Sequence, residues 1–283
     1  FRYVRSPEQS RVYAAKTDIE VSTKFEDWIE SDLLKVTTAK IERVVINDYT
    51  INERTLSVER RDDLALSRGA NDLWSADKMK SSQKVDDVRM RELLNSLVDL
   101  RIVDVRPKPP GLSQSLKSVS SDGKRISSQD RFSLQSKGFY FTQGGQLLSN
   151  EGEMLIYTDD GVKYTLRFGE IAGSEISGGE GKTIENRYLF ISAAFDSSSF
   201  PEPARPSNDE WRTKADSLLT NSDTRNRQLA SQRTIWQSEI DSGTKLSVEL
   251  NNRFADWYYV ISSESYDKLQ MRREELVIKK SDS

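Results

Sequence analysis

The fold of this chain is decided by residues 154–168, which read Met154-Leu-Ile-Tyr-Thr-Asp-Asp-Gly-Val-Lys-Tyr-Thr-Leu-Arg-Phe168. Apolar side chains alternate strictly with polar ones from Val162 to Phe168, a pattern typical of a strand with one buried face. Asp160-Gly161 favours a tight hairpin turn, because such turns need residues that accept a positive φ. The stretch therefore predicts two antiparallel strands joined at residues 159–161.

Further helices and strands are predicted on both sides of this hairpin. Residues 84–100 carry leucine and valine at helical spacing, and Asp86 and Asp87 lie near the positive end of that helix. A second helix is expected to begin at Thr23, because Glu26 completes a capping box and apolar residues follow on one face. Shorter elements are expected as strands at residues 11–16, 41–46, 55–60, 188–195 and 257–261, and as a short helix around Tyr266 and Leu269.

A proline-rich segment indicates how the chain is divided. Arg106-Pro-Lys-Pro-Pro-Gly111 ends regular structure and opens a polar, serine-rich stretch. We therefore predict an α+β fold with a first α/β unit at residues 1–106, a linker or loop at 107–136, and a second, strand-rich unit at 137–283. A weak likeness between residues 12–34 and 259–277 favours an internal repeat, which would make the two units related.

The region at residues 209–254 differs from the rest of the second unit. It is helical in pattern but polar, with a narrow apolar stripe, and it follows prolines at positions 201, 203 and 206. Asn221-Ser-Asp223 is expected to cap a new helix, and Gly243 to interrupt or end it. These features predict a long polar helical hairpin on the surface of the second unit.

Histidine and cysteine are both absent from the 283 residues. Their absence excludes thiolate nucleophiles, disulfides and iron–sulfur ligation, and it removes the usual zinc ligands and the best proton carrier at neutral pH. Lysine and arginine number 42 and aspartate and glutamate 45, so the net charge of −3 provides no broad cationic field for a nucleic acid. We expect no catalytic residue, no cofactor and no metal site.

Two motifs resemble ligand sites but lack essential parts of them. Gly178-Gly-Glu-Gly-Lys-Thr183 looks like the end of a phosphate-binding loop, yet Ile176 stands where the motif requires glycine. Residues 184–191 also read as a strand, whereas nucleotide binding needs a helix N-terminus there. Asp122-Gly123 and the turn at 159–161 do not continue into a calcium loop. We therefore expect no nucleotide and interpret the aspartate–glycine pairs as turns.

Two groups of side chains are candidates for binding. Leu229, Trp236 and Ile240 lie on the narrow stripe, where they either pack on their own domain, the simpler interpretation, or form a partner surface. Trp74 stands in a polar stretch and is the least obviously core-bound tryptophan, so it is a candidate for stacking on a sugar ring. Together with a carboxylate pair, such a residue would support envelope glycan binding or cleavage, which is the alternative function.

The chain resembles a known family through four segments in order: Phe25-Glu-Asp-Trp-Ile-Glu-Ser-Asp-Leu-Leu34, Arg106-Pro-Lys-Pro-Pro-Gly-Leu112, Lys137-Gly-Phe-Tyr-Phe141 and Arg253-Phe-Ala-Asp-Trp-Tyr-Tyr-Val-Ile261. They are similar to the domain of unknown function 4340 family, especially its planctomycete-type members. The resemblance implies a bacterial envelope protein with an N-terminal membrane anchor and an extracytoplasmic α/β body, without catalytic residues to carry over. It also implies an accessory role beside ABC-transporter-like complexes, with other envelope or membrane proteins as partners.

The sequence begins at Phe1 without an initiator methionine, and its longest apolar run, Trp257–Ile261, is far shorter than the roughly 20 residues of a membrane span. We interpret the chain as a trimmed fragment or processed product that meets the membrane only through a segment absent from it. The expected function is a non-catalytic extracytoplasmic binding or scaffold domain.

Overall fold

A computed structural model describes residues 1–16, 18, 22, 25–29, 32–52, 54–100, 102–109, 112, 126–142, 144–176, 183–254 and 256–280. The chain forms two compact units, Phe1–Glu30 and Ser31–Ser283.

The first unit contains a short antiparallel hairpin. β1 (Arg2–Val4) pairs with β2 (Tyr13–Ala15), which confirms the strand predicted at 11–16. Where the helix predicted from Thr23 is described, it is a single 3₁₀ turn at Phe25–Trp28. Thr23 and the Glu26 side chain, and with them the predicted capping box, lie outside the described residues.

The second unit contains the remaining helices and strands. In chain order they are β3 (Ile41–Asn52), β4 (Ser57–Arg68), β5 (Trp74–Ala76), β6 (Gln83–Val85), α1 (Asp87–Val98), β7 (Ile102–Pro107), α2 (Ser128–Gln135), β8 (Phe139–Phe141), β9 (Leu147–Ser149), β10 (Glu153–Thr158), β11 (Val162–Ile176), β12 (Thr183–Phe195), α3 (Asn221–Phe254), β13 (Trp257–Ile261), α4 (Ser263–Leu269), α5 (Arg273–Leu276) and β14 (Val277–Lys279). Short 3₁₀ turns occur at Thr38–Lys40, Ser197–Ser199, Glu210–Thr213 and Asp216–Leu218.

One antiparallel sheet of eight strands organises this unit, in the order β5-β4-β3-β10-β11-β12-β13-β7. Residues 159–161 form the predicted turn, in which Gly161 has a φ of 76°. The turn places Leu166 opposite Met154, as the alternating pattern requires. The strands predicted at 41–46, 55–60, 188–195 and 257–261 all lie in this sheet, and most extend beyond the predicted bounds. The fold is α+β, as predicted.

Apolar side chains cover both faces of the sheet. The larger core joins one face to α1, α4, α5 and the C-terminal end of α3, and Leu93, Leu97 and Leu166 are fully buried in it. A smaller core lies around Phe139 and Phe190, whose rings make an edge contact with their centroids 4.4 Å apart. The predicted helix at 84–100 is confirmed as α1, where the Asp86 carboxylate accepts hydrogen bonds from the first backbone N–H groups.

The predicted division at residues 107–136 does not separate two folding units. β3 precedes the proline-rich segment but pairs with β10 beyond it, and β7 pairs with β13 near the end of the chain. Residues 31–283 form one compact unit, so the boundary lies at residue 30. The stretch predicted as a loop also contains α2, whose N-terminus is capped by Ser127. Only Leu134 of that helix is buried, so it shows no apolar periodicity.

The predicted helical hairpin is a single helix. α3 begins at Asn221, as predicted, and its 34 residues span about 51 Å. Gly243 was expected to interrupt or end the helix, but it lies inside it and is buried. A Cβ atom at this position would lie 2.4 Å from the backbone oxygen of Asp160. Glycine is present because α3 crosses the hairpin turn at close range.

Candidate functional site

An extended segment lies along the N-terminal part of α3. We call residues 200–220 the strap and residues 221–242 of α3 the arm. Trp236 Nε1 donates to the Phe200 carbonyl (2.9 Å), and Arg233 donates to the Pro203 carbonyl (2.9 Å). Further along, Asn226 accepts a hydrogen bond from the Ser207 backbone N–H (3.0 Å). The strap and the arm therefore run in opposite directions and are joined mainly by polar contacts.

The start of the arm is fixed by a buried carboxylate. Asp223 accepts hydrogen bonds from the backbone and the hydroxyl of Thr220, and Lys214 Nζ lies 2.9 Å from it. These contacts lower the pKa of Asp223 from 3.8 to about 2, with the Thr220 hydroxyl as the largest cause and Lys214 next. The sequence showed Asp223 as part of a helix cap but gave no sign of its lysine partner, which is nine residues earlier.

A groove of about 930 Å³ opens between the strap and the arm. Its lining combines Trp236 with three guanidinium groups, and Arg233 lies over the Trp236 ring at 5.7 Å. Each guanidinium has an acidic neighbour: Arg233 and Arg205 lie 2.7 and 3.5 Å from Glu202, and Arg212 lies 2.8 Å from Asp209. The groove is therefore polar, nearly balanced in charge and rich in planar hydrogen-bonding groups.

The structure brings only one of the three predicted partner residues into this groove. Trp236 lines it, whereas Leu229 and Ile240 are half-buried and do not. The large exposed apolar residue of the arm is Ile235, at 57% exposure, on another side of the helix. Within the described residues, the arm contributes no side chain to a core cluster. Arg205, Arg212 and Arg233 were not predicted, and their only signal in the sequence is their position beside prolines and tryptophans.

Trp74 lies in a different cavity, of about 590 Å³. The Arg68 guanidinium is 5.3 Å from its ring and also donates to the carbonyl groups of Thr38 and Ala39. Asp87, Arg91 and Asn95 from α1 complete a polar wall. Trp74 is only half-buried, so an aromatic edge remains available beside hydrogen-bonding groups.

Among the described residues, the carboxyl groups with clearly shifted pKa values all move in one direction. The pKa values of Asp77, Asp160, Asp196, Glu202 and Asp223 are lowered. Burial alone would raise the pKa of Asp77 and Asp160, but hydrogen bonds and a nearby cation outweigh it. None of these five groups is suited to donate a proton as a general acid at neutral pH.

Of the motif at 178–183, residues 178–182 lie outside the described part of the chain. β12 begins at Thr183, which confirms the strand predicted after the motif and leaves no helix N-terminus for a phosphate. The turn predicted at Asp122-Gly123 also lies outside the described residues. Within the described ranges, no cluster of three or more Asp and Glu residues is arranged to hold a metal ion.

Comparison with known families gives a match in the N-terminal part of the chain. Residues 1–115 match the family described as Domain of unknown function (DUF4340). The match supports the resemblance for the segments at residues 25–34 and 106–112, and it does not reach those at 137–141 and 253–261. It covers β1 to β7 but not the strap or the arm. Comparisons with curated proteins and with solved structures gave no match. Among the described residues, no helix is both long and apolar enough to cross a membrane.

Proposed function

We propose that this chain is a non-catalytic, extracytoplasmic binding or scaffold domain of a membrane-anchored bacterial envelope protein. The observation that carries the proposal is the groove between the strap and the arm, which is long, open and polar. In this proposal the groove binds an extended segment of a partner protein. The resemblance to the DUF4340 family supports an envelope location and a partner in an ABC-transporter-like complex.

The lining of the groove supports binding over catalysis. Arginine and tryptophan are enriched among the residues that dominate protein–protein interfaces. Arg205 is 79% exposed and lies 3.5 Å from Glu202, so it is free to exchange that acid for a carboxylate or carbonyl of a partner. The chain has neither histidine nor cysteine for nucleophilic or acid–base chemistry. Both features favour recognition of a peptide over turnover of a substrate.

The test is a side chain that fills the groove without disturbing the fold. Ser238 is exposed and lines the groove, whereas Gln232 is exposed on the opposite side of the same helix. We expect Ser238→Arg in the full-length native protein to abolish co-purification of a defined envelope partner. Gln232→Arg is the matched control and should leave co-purification unchanged. Equal recovery with both variants would refute the groove as the binding site.

The location is tested separately in the native organism. The proposal requires a hydrophobic segment of roughly 20 residues elsewhere in the full-length protein. Protease added to intact spheroplasts should digest the domain, and fractionation should place it with membranes. A full-length protein that fractionates with the cytosol would contradict the proposed location but not the groove.

Glycan binding is the second candidate function, and the cavity beside Trp74 favours it. An aromatic edge next to Asp87, Arg91 and Asn95 combines the apolar and planar polar contacts that sugar recognition uses. We expect Trp74→Ala to abolish any binding to envelope glycans, with Trp257→Ala as a control at an exposed tryptophan (43%) outside this cavity. Glycan binding that survives Trp74→Ala would dismiss this candidate.

A further inference from the structure

The N-terminal hairpin exposes its apolar side chains instead of burying them. Phe1 is 90% exposed, Tyr3 is 83% exposed and Tyr13 is 48% exposed. The two tyrosines lie on opposite faces, because Tyr3 is opposite Ala14 while Tyr13 is opposite Val4. An isolated two-stranded hairpin is marginally stable in water. A hairpin with exposed aromatic groups on both faces therefore needs something to cover it.

The same hairpin carries a local excess of positive charge. Residues 1–16 contain four cations and one acid, Glu8. The four cations are exposed, and within the described residues they form no ion pair; they are Arg2, Arg5, Arg11 and Lys16. The other acidic residues of this unit come later, from Asp18 onward. Lys16 is only two residues from Asp18, so the positive charge of the hairpin is carried mainly by Arg2, Arg5 and Arg11.

The dimensions of the hairpin argue against a protein partner of ordinary size. Each strand has three residues, which span about 10 Å, and the strands lie about 5 Å apart. Each face is therefore far smaller than the roughly 800 Å² that each partner buries in a stable protein–protein interface. A lipid surface has no such requirement, because aromatic rings enter the headgroup region individually and each nearby cation adds attraction to anionic lipid.

We propose that the hairpin of residues 1–16 binds the surface of an anionic lipid bilayer. The hairpin enters the headgroup region edge-on, so that the aromatic rings of both faces, those of Phe1, Tyr3 and Tyr13, reach the level of the headgroups and its cations contact the lipid phosphates. The interaction goes beyond the proposed function and does not rest on it, because it requires neither a transmembrane anchor nor the groove. It would hold this end of the domain against the membrane.

The test uses the purified chain of residues 1–283 and lipid vesicles alone. Vesicles of phosphatidylglycerol and phosphatidylcholine in equal parts should sediment the protein at low salt, and pure phosphatidylcholine should not. Each cation near an anionic surface contributes about fivefold to binding, so the double variant Arg5→Gln/Arg11→Gln should bind roughly 25-fold more weakly. Tyr3→Ser/Tyr13→Ser should also weaken binding while the salt dependence persists.

The matched control removes two exposed cations of the second unit, with the variant Arg54→Gln/Arg225→Gln. It has the same change in net charge and should bind like the original chain. Equal loss in both double variants would show a general charge effect and overturn the proposal. So would absence of binding to the anionic vesicles. A dimer in solution that dissociates in Arg5→Gln/Arg11→Gln, without any vesicle binding, would assign the hairpin to a second copy instead.

Discussion

Replacing Lys108 with methionine should stabilise the protein at neutral pH. Lys108 follows β7, its Nζ lies 5.7 Å from the centre of the Phe190 ring, and it has no hydrogen-bond partner among the described residues. Burial lowers its pKa from 10.5 to about 8, and Asp256 offsets only part of this effect. The side chain is therefore charged at neutral pH in a site that disfavours the charge.

The size of the effect follows from the pKa. A pKa that is lowered from 10.5 to about 8 on folding means that keeping Lys108 protonated costs the folded protein about 3 kcal/mol of stability. The cost applies at every pH at which the folded protein holds the proton. Methionine keeps the apolar stem and removes the charge. Part of the gain is lost because methionine does not reproduce the attraction to Phe190, which is about 1 kcal/mol. We expect Lys108→Met to raise the free energy of unfolding by about 2 kcal/mol at pH 6.5.

The gain in stability from Lys108→Met should depend on pH, in a direction set by the lowered pKa of Lys108. Between pH 8 and 10.5 the unfolded chain holds the Lys108 proton more often than the folded chain, so the stability of the original protein rises with pH in this window. The advantage of Lys108→Met should therefore be complete below pH 8 and vanish toward pH 10.5. Tyrosines titrate in the same range, but both proteins share them, and the difference isolates Lys108.

Urea unfolding followed by tryptophan fluorescence at pH 6.5, 8 and 10 measures this difference. The control is Lys245→Met, because Lys245 is 80% exposed, and it should change stability by no more than about 0.5 kcal/mol. A Lys108→Met protein that is less stable at pH 6.5, or whose difference does not change with pH, would refute the reasoning.

Three further predictions concern the packing of α1 and α3. Gly243→Ala should destabilise the protein by roughly 1–3 kcal/mol in urea unfolding despite a better helix propensity, because the alanine Cβ would meet the hairpin turn. Ser242→Ala, at an exposed position, should be nearly neutral. Equal effects of the two substitutions would contradict the close approach of α3 to the turn. Leu93→Ala should lower the free energy of unfolding by about 2–5 kcal/mol, because Leu93 is fully buried. Val88→Ala, at a 56% exposed site, should lower it by less than about 0.5 kcal/mol. The reverse order would contradict the assigned core. The lowered pKa of Asp223 contributes stability above pH 3.8 that is lost as the pH falls toward 2. Asp223→Asn should therefore speed amide hydrogen exchange at the start of α3 at pH 6. Unchanged exchange would show that Asp223 does not cap the helix.

The elements that could be predicted are those whose signal is local. The turn at Asp160-Gly161 and the alternation from Val162 to Phe168 specify the hairpin almost alone, because both depend on neighbouring residues. α1 was visible for the same reason: its leucines repeat at helical spacing and Asp86 caps it. Its observed bounds are shorter than predicted by only a few residues.

The elements that could not be predicted depend on distant contacts. β3 and β10 are about a hundred residues apart, and nothing local to either strand indicates the pairing that removes the predicted domain boundary. Gly243 reads as a helix breaker until the hairpin turn is placed beside it. The groove is likewise formed only where the strap lies beside the arm, and neither segment alone indicates that it will contain Arg205, Arg212 and Arg233. The internal repeat stays a prediction.

Site-specific photo-crosslinking measures whether the groove between the strap and the arm binds a partner segment. Thr234 is exposed and lines the groove, while Gln232 is exposed on the opposite side of the helix. A photoreactive residue at position 234 of the full-length protein in native cells should form one discrete adduct with an envelope protein, which Ser238→Arg abolishes. The same residue at position 232 should form none. Absence of an adduct at 234, or equal adducts at both positions, would contradict the account.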